Sequence, residues 1–451
     1  MKSDNLPRST WLSPVRQRTV RRVLLLAFCS LLVLAVARSA QARIFKVLHT
    51  FNGTNGSFPM GSLVMDSAGN LYGTTQEGGV YGYGVIYKVS ATGQTTVLYN
   101  FTGGADGAYP NGVATDTAGN LYGTTYGDSN AGTIFKLDTS GKYTVLYSFT
   151  GEADGANPTA GVLWKAGALY GTTTYGGDYN CIESPDGYDS VGCGTVFKLD
   201  SNGTFTVLHT FIGGYGEGAF PEARLLRDAH GNLYGTAAGG FLPIGYDYGT
   251  VFRIDAAGNF RVLWNFLNVP DGSTPQASVV MGPARNLYGT TYVGGTGSDP
   301  YYCYGYGYGC GTVFKLDSSG RETVLYNFAG TESDGANPTG ITIDPHGFLY
   351  GSTFSGGVVC NSSHHFGCGT LFAIGKNGRE TVYLLGTHSP DRRGFNPLGK
   401  LLLDSAGNIY GTASAGGNLS ANCQLTDGGC GTVFKITPLQ GTGGDFYGTT
   451  F

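Results

Sequence analysis

Eight cysteines fall into four close couples: Cys181 with Cys193, Cys303 with Cys310, Cys360 with Cys368, and Cys423 with Cys430. In each couple the second cysteine directly precedes the glycine of a GTVF-like phrase. Two chemistries use cysteines spaced this closely. Structural zinc sites favour C-x2-C pairs or mixed Cys/His sets, and only His364 and His365, between Cys360 and Cys368, approach that pattern. An even number of cysteines in an exported chain instead predicts disulfides. The recurrence of one placement within the repeat selects local pairing from the many connectivities that eight cysteines allow. Closing loops this short would constrain the unfolded chain by about 2.5–3 kcal/mol each on the entropic account.

A second group is acidic. Asp178, Glu183, Asp186 and Asp189 lie within GGDYNCIESPDGYDSVGC, an insertion that no other repeat carries. Four carboxylates so close could coordinate calcium through oxygen or supply a general acid and base. The plain alternative is a solvated acidic loop, because the spacing fits no EF-hand. Calcium is the one cofactor the sequence raises. A third group is aromatic: Tyr301, Tyr302, Tyr304, Tyr306 and Tyr308 crowd the stretch YYCYGYGYGC, and Tyr246 and Tyr248 occupy a comparable loop. Tyrosine offers large, rigid, half-polar contact area. Such rings either stack on a sugar or protein ligand or pack on one another.

The elements that carry these residues repeat seven times. An LYGT-like phrase recurs at Tyr72, Tyr122, Tyr170, Tyr234, Tyr288, Tyr350 and Tyr410, with a mean step of about 56 residues. A GTVFK-like phrase, a TVLYNF-like phrase and a following proline recur with it. Each repeat predicts four short strands: a near Leu63–Asp66, b at Leu71–Thr75, c at Val85–Val89 and d at Thr96–Phe101, in the numbering of the first. Alternation of Val85, Tyr87 and Val89 predicts a half-buried strand c. Tight Asp/Gly turns join a to b and c to d. Four antiparallel strands per unit predict an all-β, seven-bladed β-propeller of four-stranded blades. A β-solenoid is the rival. The order of phrases favours the ring, since residues 43–51 supply a d strand first and Gly431–Ile436 end on a c strand. The N-terminal strand would then close the last blade and remove the open edge.

Aspartates that recur in one slot, such as Asp66, Asp116, Asp228, Asp344 and Asp404, read as turn caps rather than catalysts. The b–c and d–a loops emerge together at one end and hold every insertion and every cysteine couple. That face is where binding is expected.

Residues 1–42 read as a signal peptide. Basic residues precede the apolar run Val23–Ala37, which is short for a bilayer span, and Ala40-Gln41-Ala42 fits a cleavage site. An uncleaved anchor is the alternative. The chain divides into this signal, the propeller at 43–436, and 437–451 as a partial extra repeat or truncated tail. Without the signal the chain keeps 20 basic and 30 acidic residues, a balance of −10. That balance, without basic clusters, excludes nucleic acid and anionic membrane as main partners. No membrane span is expected after cleavage.

The phrases TVLYNFTGGADGAYPNG, DTAGNLYGTTYG and GTIFKLD resemble the GloVer-type tandem-repeat family of secreted "choice-of-anchor" proteins. The resemblance covers residues 43–436. It implies export and a repeat architecture and transfers no catalytic residues. The expectation is therefore an exported binding module, periplasmic, cell-surface or extracellular, that engages a glycan or an envelope protein through its loop face. The alternatives are a glycan lyase or hydrolase with carboxylates on the loop face or ring axis, and a structural envelope protein. A non-repeat cluster of ionisable residues at the axis would favour the enzyme.

Overall fold

The LYG of each repeat has a packing cause. In the computed structural model of the chain, the aromatic ring at the middle of strand c lies over the glycine of strand b. A Cβ at Gly171, Gly289 or Gly411 would come within 2.5 Å of the Phe197, Phe314 or Phe434 ring. These rings are fully buried, as is Tyr87 in the same slot of blade one. The structure describes residues 44–127, 130–179, 181, 191–213, 216–239, 241–242, 245–297, 303, 309–358, 367–375, 380–384, 394–418, 423 and 429–437. The signal segment and nearly all of the tail therefore lie outside the described residues.

Seven antiparallel four-stranded sheets are present, in the order a–b–c–d. Blade one runs Val64–Met65, Leu71–Thr75, Val85–Val89 and Thr95–Asn100. Blade seven takes a, b and c from Phe395–Leu403, Ile409–Ala415 and Thr432–Thr437, and its d strand is the N-terminal Ile44–Thr50. The expected closure is thus observed, with Phe45 opposite Ile436 and Lys46 opposite Lys435. One expectation needs correcting. Strand c is buried on both faces, Ile86 as fully as Val85 and Tyr87. Each blade is covered by a neighbour on either side, so the alternation expected of a half-exposed sheet is lost on this strand.

Three devices join blade to blade. First, the phenylalanine that ends strand d meets the strand c aromatic of the next blade edge-on: Phe101–Phe135 at 5.4 Å, Phe328–Phe372 at 5.1 Å and, across the closure, Phe51–Tyr87 at 5.0 Å. Such pairs contribute about 0.5–1.5 kcal/mol each beyond the area they bury. Second, the proline that opens strand a packs on the glycine that opens strand c of the preceding blade, as in Pro338 on Gly311 and Pro59 on Gly431. Third, the residue before that proline adopts positive φ, from 49° at Asn157 to 59° at Phe58. That turn points its N–H at the preceding blade. Tyr109 donates to the Tyr83 carbonyl at 3.1 Å, Asn337 to Cys310 at 2.8 Å and, at the closure, Phe58 to Cys430 at 3.1 Å. Positive φ is costly for a non-glycine residue, and here it recurs in every blade.

Candidate functional site

The recurrent aspartates serve the scaffold, as expected. Asp116 accepts N–H bonds from Ala118 and Asn120 at 2.9 Å, the Asn120 amide at 2.7 Å and the Tyr122 hydroxyl at 3.0 Å. Burial would raise its carboxyl, but these bonds outweigh it and hold the group below the usual carboxylate range. Asp106 likewise ties its d–a loop by accepting the Tyr99 hydroxyl and the Thr102 N–H.

Three cysteine couples are disulfides: Cys181–Cys193, Cys303–Cys310 and Cys423–Cys430, with Cα atoms 5.8, 4.7 and 5.0 Å apart. Cys368 is also disulfide-bonded, and Cys360 lies outside the described residues. These bridges are more than surface staples. Cys310 and Cys430 are fully buried and belong to hydrophobic clusters that run across the blade boundary. Cys193, Cys310, Cys368 and Cys430 each present the carbonyl that receives the next blade's N–H. Blades one, two and four place Tyr83, Ala131 and Tyr248 in that slot, with the same bond. Tyr248 is half-buried and packs against a cluster with Phe266 and Val279. It therefore fills a scaffold position. Tyr246 pairs with Phe241 in a two-residue hairpin. Tyr301, Tyr302, Tyr304, Tyr306 and Tyr308 lie outside the described residues. So do Glu183, Asp186 and Asp189, which leaves Asp178 as the described member of the acidic run. Among the described residues no group of three or more His, Cys, Asp or Glu side chains could hold a metal ion.

The loop face has its own chemistry. Seven large apolar side chains are strongly exposed among the described residues: Val80, Tyr81, Tyr179, Val191, Ile212, Leu267 and Val269. All seven lie in b–c or d–a loops. Ile212 and Leu267 replace Thr102 and Thr150, whose hydroxyls bond the loop aspartate in earlier repeats.

A second feature escaped the sequence reading. The innermost strands surround an axial channel, and the second residue after each strand-opening proline is glycine or alanine, so that these strands can approach. A Cβ at Gly61 would lie 2.8 Å from the Gly112 Cα, and one at Gly340 would lie 3.0 Å from the Lys400 Cα. On the a–b turn side the channel is a cavity of about 860 Å³; towards the loop face it narrows to about 130 Å³. Ser62, Arg224, Ser278 and Lys400 border both parts and form the waist. Glu222 and Gln276 stand on the loop side of it. Burial pushes the Glu222 carboxyl up to about 7, although the Gln276 amide bonded to it opposes the shift. Lys400 is drawn down to about 8 by burial and by the charge of Arg224, and burial draws Arg224 to about 10. The signal was present in the repeat: the third residue after the proline is Ser62, Gly161, Arg224, Ser278 or Lys400 in five blades, while blades two and six, which run one residue shorter from that proline to the turn aspartate, place Val113 and Ile341 there. Only an aligned comparison of repeats reveals that this slot varies where its neighbours do not.

The fold agrees with solved structures. Virginiamycin B lyase from Staphylococcus aureus superposes with a TM-score of 0.54 at 13% identity, over 88% of this chain and 100% of that one. A streptogramin B lyase superposes with a TM-score of 0.53 at 12% identity, over 88% and 99%. At these identities the likeness concerns the fold alone. No curated protein matches the sequence. The model of the Gloeobacter/Verrucomicrobia repeat matches residues 35–184 and 185–358, more than half of the chain. Two tandem matches and seven blades built on one phrase set agree: the chain belongs to the Gloeobacter/Verrucomicrobia repeat family.

Proposed function

We propose that the protein is an exported binding module that holds an extracellular glycan or envelope protein on its loop face. The observation that carries this reading is the distribution of exposed apolar side chains. All seven described ones lie on the loops and none on the short polar turns of the opposite face. Apolar patches rimmed by polar residues mark interaction surfaces, and Tyr81 and Tyr179 add exposed rings suited to stacking. Disulfides at the blade boundaries fit an oxidising compartment. Among the described residues no helix is long and apolar enough to cross a membrane.

The test is retention of the chain on immobilised polysaccharides and envelope proteins, with released oligosaccharide measured in the same wells. Retention should fall roughly tenfold in Leu267→Ser and Tyr81→Ser, each anchor contributing about 1–2 kcal/mol, with an unchanged melting temperature. Undiminished retention in both variants would remove the loop face from the account.

One observation favours a second reading. Glu222, Arg224 and Lys400 form a non-repeat ionisable cluster at the ring axis, two of them with proton affinities near neutrality. A lyase would use such a base beside a cation. Hydrolysis by paired carboxylates is less well served, since Glu222 is the one carboxylate on the loop side of the waist among the described residues. Released unsaturated oligosaccharide would establish the lyase.

A further inference from the structure

Arg224 and Lys400 reach the channel from blades four and seven, on opposite sides of a seven-membered ring. Each lines both the wide cavity and its narrow continuation, and each is half-buried. The Coulombic effect of Arg224 is felt at Lys400. Among the described residues neither cation has an ion-pair partner; the four pairs present are His209–Glu217, His230–Asp228, Arg285–Asp228 and Arg321–Asp317. Glu222, two residues from Arg224, is held by Gln276 instead.

The walls of the wide cavity reinforce this charge. Lys165 and Arg227 line it as well. Its carboxylates, Asp344 and Asp404, are engaged by their own turns: Asp344 accepts the His346 and Phe348 N–H groups, and Asp404 those of Ala406 and Asn408. A chain of net charge −4 thus keeps a basic channel at its centre. Two facing cations without an ion-pair partner repel and are desolvated, and an anion between them relieves both costs.

We infer that the waist of the axial channel is a binding site for a carboxylate-bearing ligand, held between Arg224 and Lys400. The Arg224 fork matches the two oxygens of a carboxylate, and the Lys400 ammonium closes on it from the opposite side. Ser62 accepts the Lys400 backbone N–H at 3.2 Å, which leaves its hydroxyl proton to donate to the guest. Ser278 offers a second hydroxyl. The site is specific to this pair of blades: the third residue after the proline is Ser62, Val113, Gly161, Ser278 and Ile341 elsewhere, none of them charged. It stands independently of the loop-face reading.

The probes are glucuronate, glucose as its neutral counterpart, and inorganic sulfate, each added to the full chain. Affinity is read by titration calorimetry, and Lys400 by mass-spectrometric acetylation footprinting. Glucuronate should bind and slow Lys400 acetylation at least fivefold, while glucose does neither. Arg224→Met and Lys400→Met should each weaken glucuronate at least tenfold without loss of thermal stability. Sulfate should compete with glucuronate, because the shared chemistry is an oxyanion. Leu267→Ser should leave the titration unchanged, so that failure of the loop face and failure of the waist are told apart. Equal binding of glucose, protection by sulfate but not by glucuronate, or full affinity in Arg224→Met would each overturn the assignment.

Discussion

Replacing Gly311 with alanine tests the contact that joins one blade to the next. Gly311 opens strand c of blade five at a φ of 94°, and a Cβ there would lie 2.5 Å from Pro338 Cδ and closer still to the Thr291 carbonyl oxygen. Gly320, at the other end of the same strand, has a similar φ of 86° with nothing within 4 Å of a Cβ. The pair separates backbone strain from steric conflict. Left-handed backbone costs an alanine about 1–2 kcal/mol, part of which is offset by the lower entropy of its unfolded chain. Gly320→Ala should therefore lose about 1 kcal/mol. Gly311→Ala carries the same strain plus an overlap with two backbone-anchored atoms, which overpacking data place at about 1–3 kcal/mol. Its loss should be about 3 kcal/mol. Gly431→Ala should match it, because the same Cβ there would lie 2.5 Å from Pro59 Cδ across the ring closure. Urea unfolding with the disulfides intact gives both values, provided that the transition slopes agree. Equal losses in Gly311→Ala and Gly320→Ala would refute the argument and reduce the recurrent proline–glycine contact to coincidence.

Removing the Cys303–Cys310 bridge as the double alanine variant should cost about 2.5 kcal/mol from loop closure, visible as a lowered urea midpoint against the oxidised parent. A loss near zero would show that neither the covalent link nor the two sulfurs buried in the cluster with Val313 and Phe328 stabilises the blade boundary. Glu322 gives a pH test. Burial, and then the charge of Asp271, push its carboxyl up to about 7 from an ordinary 4.5. A raised folded value means that the folded state holds the proton more tightly, so its contribution is present below about 4.5 and is lost as pH rises through 7. Glu322→Gln should therefore gain on the parent between pH 5 and 8 and show no advantage at pH 4, measured by thermal melts across that range. A constant difference would place the effect in packing rather than ionisation.

The four cysteine couples and the repeated phrase set are legible in the sequence because they are local. Strand b, strand c, the Asp-Gly turns and the pairing of Cys303 with Cys310 depend on residues within one repeat. The order of phrases even revealed the closure, since an unpaired d strand at one end and an unpaired c strand at the other have one way to satisfy their backbones. Burial of Ile86 was misjudged because alternation along a strand does not tell how many faces a neighbour will cover. By its type alone Tyr248 suits ligand contact or packing, and in the fold it occupies the slot that Cys193 and Cys310 fill in other blades. Only the superposition of blades exposes that equivalence.

What the sequence determined by itself was the unit: its strands, its turns and its number, because each is set by contacts within about fifty residues. What the tertiary structure alone decided was the axis. Arg224 and Lys400 are 176 positions apart in a chain of 451, and each sits in a segment that otherwise reads as scaffold. Closing seven blades into a ring turns one varying slot per blade toward a common line. There two charges from opposite sides share a space that neither repeat predicts, because a repeat specifies its own neighbours and not what faces it across the ring.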